Sequence, residues 1–244
     1  MTALLEARGL MKRFGGVWAL RDVDLRQEAT ETLGMIGPNG SGKTTFINAV
    51  TGHLALDAGD VLLDGERVSG RPTHRIAQAG MVRTYQAVRV YGRFPVDENL
   101  RIASLPHYER VGRRQPLEGV EELLARLGLA DKRQAPAGSL TLFEQRRLEL
   151  AMRLLARPKL LMLDEPVAGL NPGEIREMIA VLKELRRTCA LFVIEHTMKV
   201  IMELADRVIV LVSGEKIADG APAAILKDDN VIRQYLGSVR AFRP

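Results

Sequence analysis

One cysteine, Cys189, is all the sequence contains, so no disulfide can form within the chain. That usage fits a reducing cytosol. Cys189 opens an apolar run and is expected to be a small core residue. No apolar stretch approaches the ~20 residues that a membrane-spanning helix needs, and the first residues lack the pattern of a secretory leader. The expectation is a soluble or peripheral chain, with any membrane span supplied by another subunit. Neither H-E-x-x-H nor C-x-x-C occurs, so no zinc site is expected. His53, His74 and His107 read as surface or packing residues. Aromatics are 5% of the chain and do not interleave with its basic residues. The pairs Arg113–Arg114, Arg146–Arg147 and Arg186–Arg187 therefore read as solvated helix faces, and nucleic acid is not expected as a partner. No internal repeat or low-complexity tract is present.

What is there supports a large folded body. Of 244 residues, 46% are hydrophobic, enough for a substantial core in one large domain or two small ones. The net charge of +5 suits contact with an anionic surface without identifying one.

The stretch that organises the chain is Gly37 to Thr45, GPNGSGKTT. It fits G-x-x-x-x-G-K-[ST], with Gly37, Gly42, Lys43 and Thr44 in the fixed places. Glycines permit a tight loop whose backbone N–H groups converge as an anion nest. Lys43 adds a full charge for the outer phosphates, and the Thr44 hydroxyl can ligate Mg²⁺. Pro38, Asn39, Gly40, Ser41 and Thr45 complete the candidate phosphate-binding stretch. Context agrees: Thr32 to Ile36 is a short apolar run suited to a buried strand, and Thr45 to Val50 suits a helix stopped at Gly52. A helix opened by this loop would turn its positive dipole end to the phosphates.

Before the loop, Ala3 to Leu10 and Leu20 to Leu25 read as strands joined at Gly15–Gly16, a half-exposed antiparallel layer. After it, Val61 to Leu63 meets a turn at Asp64–Gly65, Thr73 can cap a helix to Ala79, and Met81 to Tyr85 returns as a strand. From Ala87 to Arg157 strand signals vanish. Pro95, Pro106, Pro116 and Pro136 punctuate helical segments, of which Glu121 to Leu127 and Thr141 to Leu155 are the clearest. The alternation then resumes: strand Leu160 to Leu163, helix Glu174 to Arg187, strand Ala190 to Ile194, helix Met198 to Leu204, strand Arg207 to Leu211. Such alternation implies a parallel sheet with ligands at the carboxyl ends of its strands. A turn at Ser213–Gly214 and short helices around Ile225 and Ile232 close the chain.

Two further motifs fall at that ligand edge. LLMLDEP (Leu160 to Pro166) ends an apolar strand in two carboxylates. Asp164 can hold Mg²⁺ through water, and Glu165 can polarise an attacking water. His196 follows the strand ALFVIE in the same way. Gln86, after MVRTY, can touch Mg²⁺ or the attacking water and report nucleotide state to the helical insert. Phe14, or else Trp18, can stack on adenine.

On these residues the chain resembles the ATP-binding cassette (ABC) ATPases over essentially its whole length. GPNGSGKTT resembles the Walker A loop and LLMLDE the Walker B strand with catalytic Glu165. Gln86 matches the Q-loop, His196 the switch histidine and Phe14 the adenine-stacking aromatic. The resemblance implies an α/β P-loop NTPase (RecA-like) core with an N-terminal antiparallel β layer, residues 1–86 and 158–244, and a helical subdomain over 87–157. It implies ATP as substrate, Mg²⁺, and two cassettes closing head to tail, each sandwiching ATP between its own Walker A loop and the partner's signature motif. Finer likeness is to cassettes of branched-chain amino acid importers, carried by RTYQAVRVYGRFPVDENL (Arg83 to Leu100), AGLNP (Ala168 to Pro172), IEHTMKVIM (Ile194 to Met202) and VIRQYLG (Val231 to Gly237). The partners so implied are transmembrane permease subunits, a second cassette and, indirectly, a solute-binding protein. The location so implied is peripheral, at the cytoplasmic face of the membrane.

The sequence departs from the family at the signature, where LSGGQ or LSYGQ is replaced by LTLFE (Leu140 to Glu144). Phe143 stands where glycine lets backbone approach the partner's γ-phosphate, Glu144 brings negative charge, and Thr141 can keep a hydroxyl contact. A weakened signature, and hence a heterodimer with one good and one poor site, is the expectation. Two other readings remain at this point: a soluble ABC protein of iron–sulfur assembly or nucleic-acid work, and an ATP-sensing module that does not hydrolyse.

Overall fold

The structure, a computed structural model, describes residues 3–111 and 119–235, with side chains for all of these except 105–111. Arg113–Arg114, Pro116 and the last two residues of VIRQYLG lie outside the described residues, as does the side chain of His107.

The chain opens with an antiparallel pair, β1 (Leu5–Phe14) and β2 (Val17–Gln27), turning at Gly15–Gly16. Its inward residues Leu20, Val23 and Leu25 are buried although the first two are three apart. The register explains this: Leu10 pairs with Val23 and Lys12 with Leu20, so β2 carries an extra residue, and Asp22 takes a φ of +51°. The five-residue strand β3 (Thr32–Ile36) is buried throughout and leads through the glycine loop into α1 (Lys43–Val50). Then come β4 (Ala58–Leu63), β5 (Glu66–Arg67), α2 (Thr73–Ala79) and β6 (Met81–Arg83). Thr73 does not cap α2. Pro72 holds the N-cap position, and because its ring carries no acceptor the helix has no side-chain cap.

The helical layer follows: α3 (Val96–Val111), α4 (Val120–Arg126) and α5 (Leu142–Leu154). α3 runs through Pro106, contrary to the expected break. After it, β7 (Leu160–Asp164), α6 (Pro172–Leu185), β8 (Ala190–Ile194), α7 (Met198–Leu204) and β9 (Arg207–Val212) alternate as expected. The polar strand β10 (Glu215–Gly220) had no sequence signal. It folds back on β9 through Ser213 and Gly214, both at positive φ, as an exposed edge strand where alternation is not required. Short helices α8 (Pro222–Ile225) and α9 (Asp229–Gln234) complete the described chain.

The strands form two sheets, of order β2-β1-β4-β5 and β10-β9-β3-β8-β7-β6. The first is antiparallel; in the second, β9, β3, β8, β7 and β6 run parallel. β3, β7 and β8 are apolar without alternation because both sheet faces are covered. One core lies between the sheets and includes the stacked rings of Phe46 and Phe192, 5.6 Å apart. A second lies under α6 and α7, around Leu163, Met178 and Leu182. A third belongs to the helical layer, around Leu100, Leu124 and Leu148. No helix among the described residues is long and apolar enough to cross a membrane.

The entry to α3 hangs on one side chain. Asn99 is fully buried. Its Oδ1 accepts the Tyr91 N–H at 2.7 Å, and its amide donates to the carbonyls of Tyr91, Phe94 and Pro95 at 3.0–3.2 Å. Asn99→Ala leaves these groups without partners and should cost roughly 2–4 kcal/mol. Denaturant unfolding checks the value, and hydrogen exchange should place the loss at residues 91–99; a change under about 0.5 kcal/mol would contradict this account.

Candidate functional site

The glycine loop is built for close approach. A Cβ at Gly37 would lie 2.0 Å from the Leu211 carbonyl oxygen, and one at Gly42, which has a φ of +106°, would lie 2.2 Å from that of Ala19. Only glycine fits either place. Gly42 caps α1 with no side-chain bond, so the first-turn N–H groups of the helix are left for another acceptor. Lys43 is buried, and its Nζ donates to the carbonyls of Gly37 (2.8 Å) and Pro38 (2.9 Å). Its ammonium therefore lies in the loop. Burial lowers its pKa, while the charges of Glu165 and Asp164 pull the other way. Asn39, Gly40 and Thr44 are exposed, Pro38 and Thr45 are half-buried, and Ser41 Oγ is buried with no partner.

The carboxylates stand opposite. Asp164 ends β7 beside Ile194 of β8, which lies beside Met35 of β3. Asp164 is buried, and its Oδ2 meets Arg83 Nη2 at 3.1 Å. Arg83 also donates to Asn48 of α1 at 2.6 Å. Burial raises the Asp164 pKa and Arg83 opposes the rise. Glu165 takes a φ of +51°, rare for a residue with a side chain. Its Oε2 accepts the Gln86 amide at 3.0 Å, and its Oε1 is 3.8 Å from His196 Nδ1. The structure thus brings Lys43, Asp164, Glu165, Gln86 and His196 to one edge, with Glu165 at the centre.

Two side chains there were not singled out from sequence. Arg83 is one; an arginine within an apolar strand facing a strand-end aspartate was its signal. Glu195 is the other, a fully buried carboxylate accepting N–H groups of Val167 (3.1 Å), His196 (3.2 Å) and Thr197 (3.4 Å). It shapes the turn that carries His196 and ties it to the chain following Glu165.

The two aromatics stand on either side of the turn that joins β1 and β2. Phe14, at the end of β1, is 51% exposed, with Lys12 Nζ 5.6 Å from its ring. Trp18 is half-buried against Arg13.

The stretch Leu140 to Glu144 differs from expectation in one respect. Phe143 does not project bulk outward. It is 7% exposed, packed into the core under α6 with the Arg147 guanidinium 3.8 Å from its ring. The apolar ring is favoured inside. Thr141 N-caps α5: its Oγ1 accepts the Glu144 N–H at 3.2 Å, and Glu144 Oε2 accepts the Thr141 N–H at 2.9 Å. These bonds and Lys132, at 3.6 Å, lower the Glu144 pKa. Arg146 and Arg147 are not solvated either. Arg146 is buried and donates to the Ala168 carbonyl at 2.7 Å, and Arg147 pairs with Glu177.

The donors present fit Mg²⁺ held on a phosphate. No group of three or more His, Cys, Asp or Glu able to hold a metal exists among the described residues. Mg²⁺ on a nucleotide needs only one or two carboxylates, with water and phosphate oxygens filling the rest. Asp164, the exposed Thr44 hydroxyl and the Gln86 amide oxygen supply such a set.

Comparison with known proteins gives a consistent result. A family model described as ABC transporter matches residues 20–168. The high-affinity branched-chain amino acid transport ATP-binding protein BraF of Pseudomonas aeruginosa is 39% identical over 249 aligned residues, covering 96% of this chain and 98% of BraF. LivG of Escherichia coli K12, named for the same transport, is 38% identical with the same coverage. Among solved structures, the ADP conformation of an ATP-binding cassette of an ABC transporter superposes with a TM-score of 0.86 at 28% identity, covering 97% of this chain and all of that one.

Burial raises the Glu195 pKa above the ordinary glutamate value, against the pull of its backbone N–H bonds. The folded chain then holds this proton more tightly than the unfolded chain does. Its contribution to stability is greatest on the acid side and falls as pH rises from the ordinary glutamate range to the raised value. Glu195→Gln cannot ionise. Melts from about pH 4 to about pH 8 should show the wild type losing stability relative to this variant as pH rises. A difference that stays constant with pH would count against this reading.

Proposed function

The chain belongs to the ABC transporter family, and on that premise we propose that it is the ATP-hydrolysing subunit of an importer for branched-chain or related amino acids. The observation that carries the ATPase reading is Glu165 at the strand edge, joined to Gln86 and facing His196 and the loop that holds Lys43. The amino acid reading rests on near full-length likeness to BraF and LivG.

In the mechanism, the loop N–H groups and Lys43 bind and orient the phosphates of ATP. Thr44, Asp164 and Gln86 would hold Mg²⁺, which when bound would screen charge on the phosphates. Glu165 orients the attacking water and takes its proton, and His196 contacts the outermost phosphate. Phe14 offers its exposed face to adenine. Residues 1–86 and 158–244 act as the nucleotide-binding core and 87–157 as the helical subdomain. The chain works peripherally at the cytoplasmic face, held there by permease subunits and paired with a second cassette.

The reading of a heterodimer is supported by α5. Its N-terminus is closed by Glu144, with Thr141 already committed to the cap, and by resemblance this is the end that would meet the phosphates of the partner's ATP. Bringing the two anions together is unfavourable, so the partner's ATP meets a poor site here, while this chain's own loop needs an intact signature from a different cassette.

Glu165→Gln should retain nucleotide binding and lose about 100-fold or more in turnover of the assembled transporter. Undiminished steady-state hydrolysis would refute the role of Glu165. Glu144→Gln keeps the capping box and removes the charge. Turnover should then rise about threefold or more, and an unchanged rate would remove the case for a weakened site.

A further inference from the structure

Tyr85 lies between three parts of the molecule. Its hydroxyl meets His53 Nε2 at 3.1 Å, and the two rings are edge-on at 5.9 Å. His53 Nδ1 is 3.0 Å from Thr51 Oγ1, which is itself 2.5 Å from the Ile47 carbonyl of α1. Hydrogen counting assigns directions along this chain. The carbonyl can only accept, so the single threonine proton points to it. Thr51 must then accept from His53 Nδ1–H. His53 is kept neutral by burial and by the neighbouring charges of Arg83 and Arg89, which lower its pKa. With its one proton on Nδ1, Nε2 accepts from the tyrosine hydroxyl. Tyr85 is thereby tied to the helix that the glycine loop opens.

The backbone of Tyr85 turns elsewhere. Its N–H, with that of Arg89, faces the carboxylate of Glu149, a 2% exposed residue of α5, and opposes the rise that burial gives that carboxyl's pKa. Glu149 also pairs with Arg153, whose guanidinium lies 5.6 Å from the Tyr85 ring. Arg83, the partner of Asp164, lies 4.8 Å from the same ring, and Arg89 3.9 Å. The residue that follows is Gln86, bonded to Glu165.

We propose that Tyr85 is a positioning residue for Gln86: its hydroxyl, held by His53, and its ring, set against Arg153 of α5, tie the Gln86–Glu165 contact to both α1 and α5. This rests on the ATPase reading above. A rotation of α5 relative to α1 pulls on Tyr85 from two sides and is felt at the Gln86 amide. The hydroxyl acts on Gln86 only through geometry, so its loss acts on turnover and leaves affinity in place.

The test uses the full chain in its assembled transporter. Tyr85→Phe removes one oxygen and keeps the ring among its arginines. It should lower kcat about tenfold, the equivalent of one hydrogen bond's worth of positioning, with KM for ATP and nucleotide affinity within about twofold. His53→Ala should do the same, and the double variant should be no worse than either single one, because both break one chain. His53→Gln restores an acceptor near the Nε2 position and should recover most of the rate. Melting temperatures are recorded alongside. An unchanged kcat in Tyr85→Phe overturns the proposal, as does a loss in kcat and KM together that tracks the melting temperature and is not recovered by His53→Gln. Glu165→Gln is measured beside them. If it hydrolyses normally, the ATPase reading itself falls; if it is inactive while Tyr85→Phe is normal, only the role of Tyr85 falls.

Discussion

The parallel register of the larger sheet is the constraint from which the site follows. Met35, Ile194 and Asp164 lie side by side on β3, β8 and β7. Their strands therefore end together, and the next residues on two of them are Glu195 and Glu165. The glycine loop leaves β3 one residue beyond Met35. This alignment is held by strands buried on both faces, where a slip would break ladder bonds and misplace apolar side chains at once. Residues more than a hundred positions apart in sequence meet because three short apolar strands end on one line.

That edge collects charge, much of it on the buried side chains of Lys43, Asp164 and Glu195, and the protein balances it locally. Lys43 is satisfied by loop carbonyls, Asp164 by Arg83, Glu165 by Gln86, and Glu195 by three backbone N–H groups. Ser41 Oγ and Arg146 Nε, by contrast, are buried without a hydrogen-bond partner. A phosphate entering the loop exchanges carbonyl partners of Lys43 for phosphate oxygens, an exchange close to neutral in hydrogen bonds and favourable in charge. The cost of desolvating the lysine has already been met by folding.

The helical layer joins this edge through few, specific contacts. Arg146 reaches from α5 to the Ala168 carbonyl just beyond Glu165, and Glu149 pairs with Arg153, which lies at the Tyr85 ring. Both side chains are buried, so movement of α5 would drag polar groups out of matched partners. The inward turn of Phe143 belongs to the same anchoring: its ring fills the core under α6 and Arg147 covers it. What α5 then presents at its N-terminus is a closed cap with a carboxylate.

Much of the fold and part of the site were legible in the sequence. The glycine loop, the strand ending in Asp164 and Glu165, and the strand preceding His196 were legible because each is a local pattern with a local cause: a loop that tolerates only glycine, and apolar runs that stop at a charge. The edge strand β10, the passage of α3 through Pro106, the burial of Arg146 and Arg147 and the inward ring of Phe143 were not. The strand is polar and pairs only with β9 just before it, so it carries no apolar pattern, while the arginines depend on Ala168 and Glu177 and the ring on the core under α6, all distant in sequence. The sequence by itself determined which residue types stand at strand ends and that a phosphate loop precedes them. Only the tertiary structure decided their pairings, such as Arg83 with Asp164 and Tyr85 with His53, because a side chain's partner is set by which strand or helix lies beside it, and adjacency in space is not written in the order of the chain.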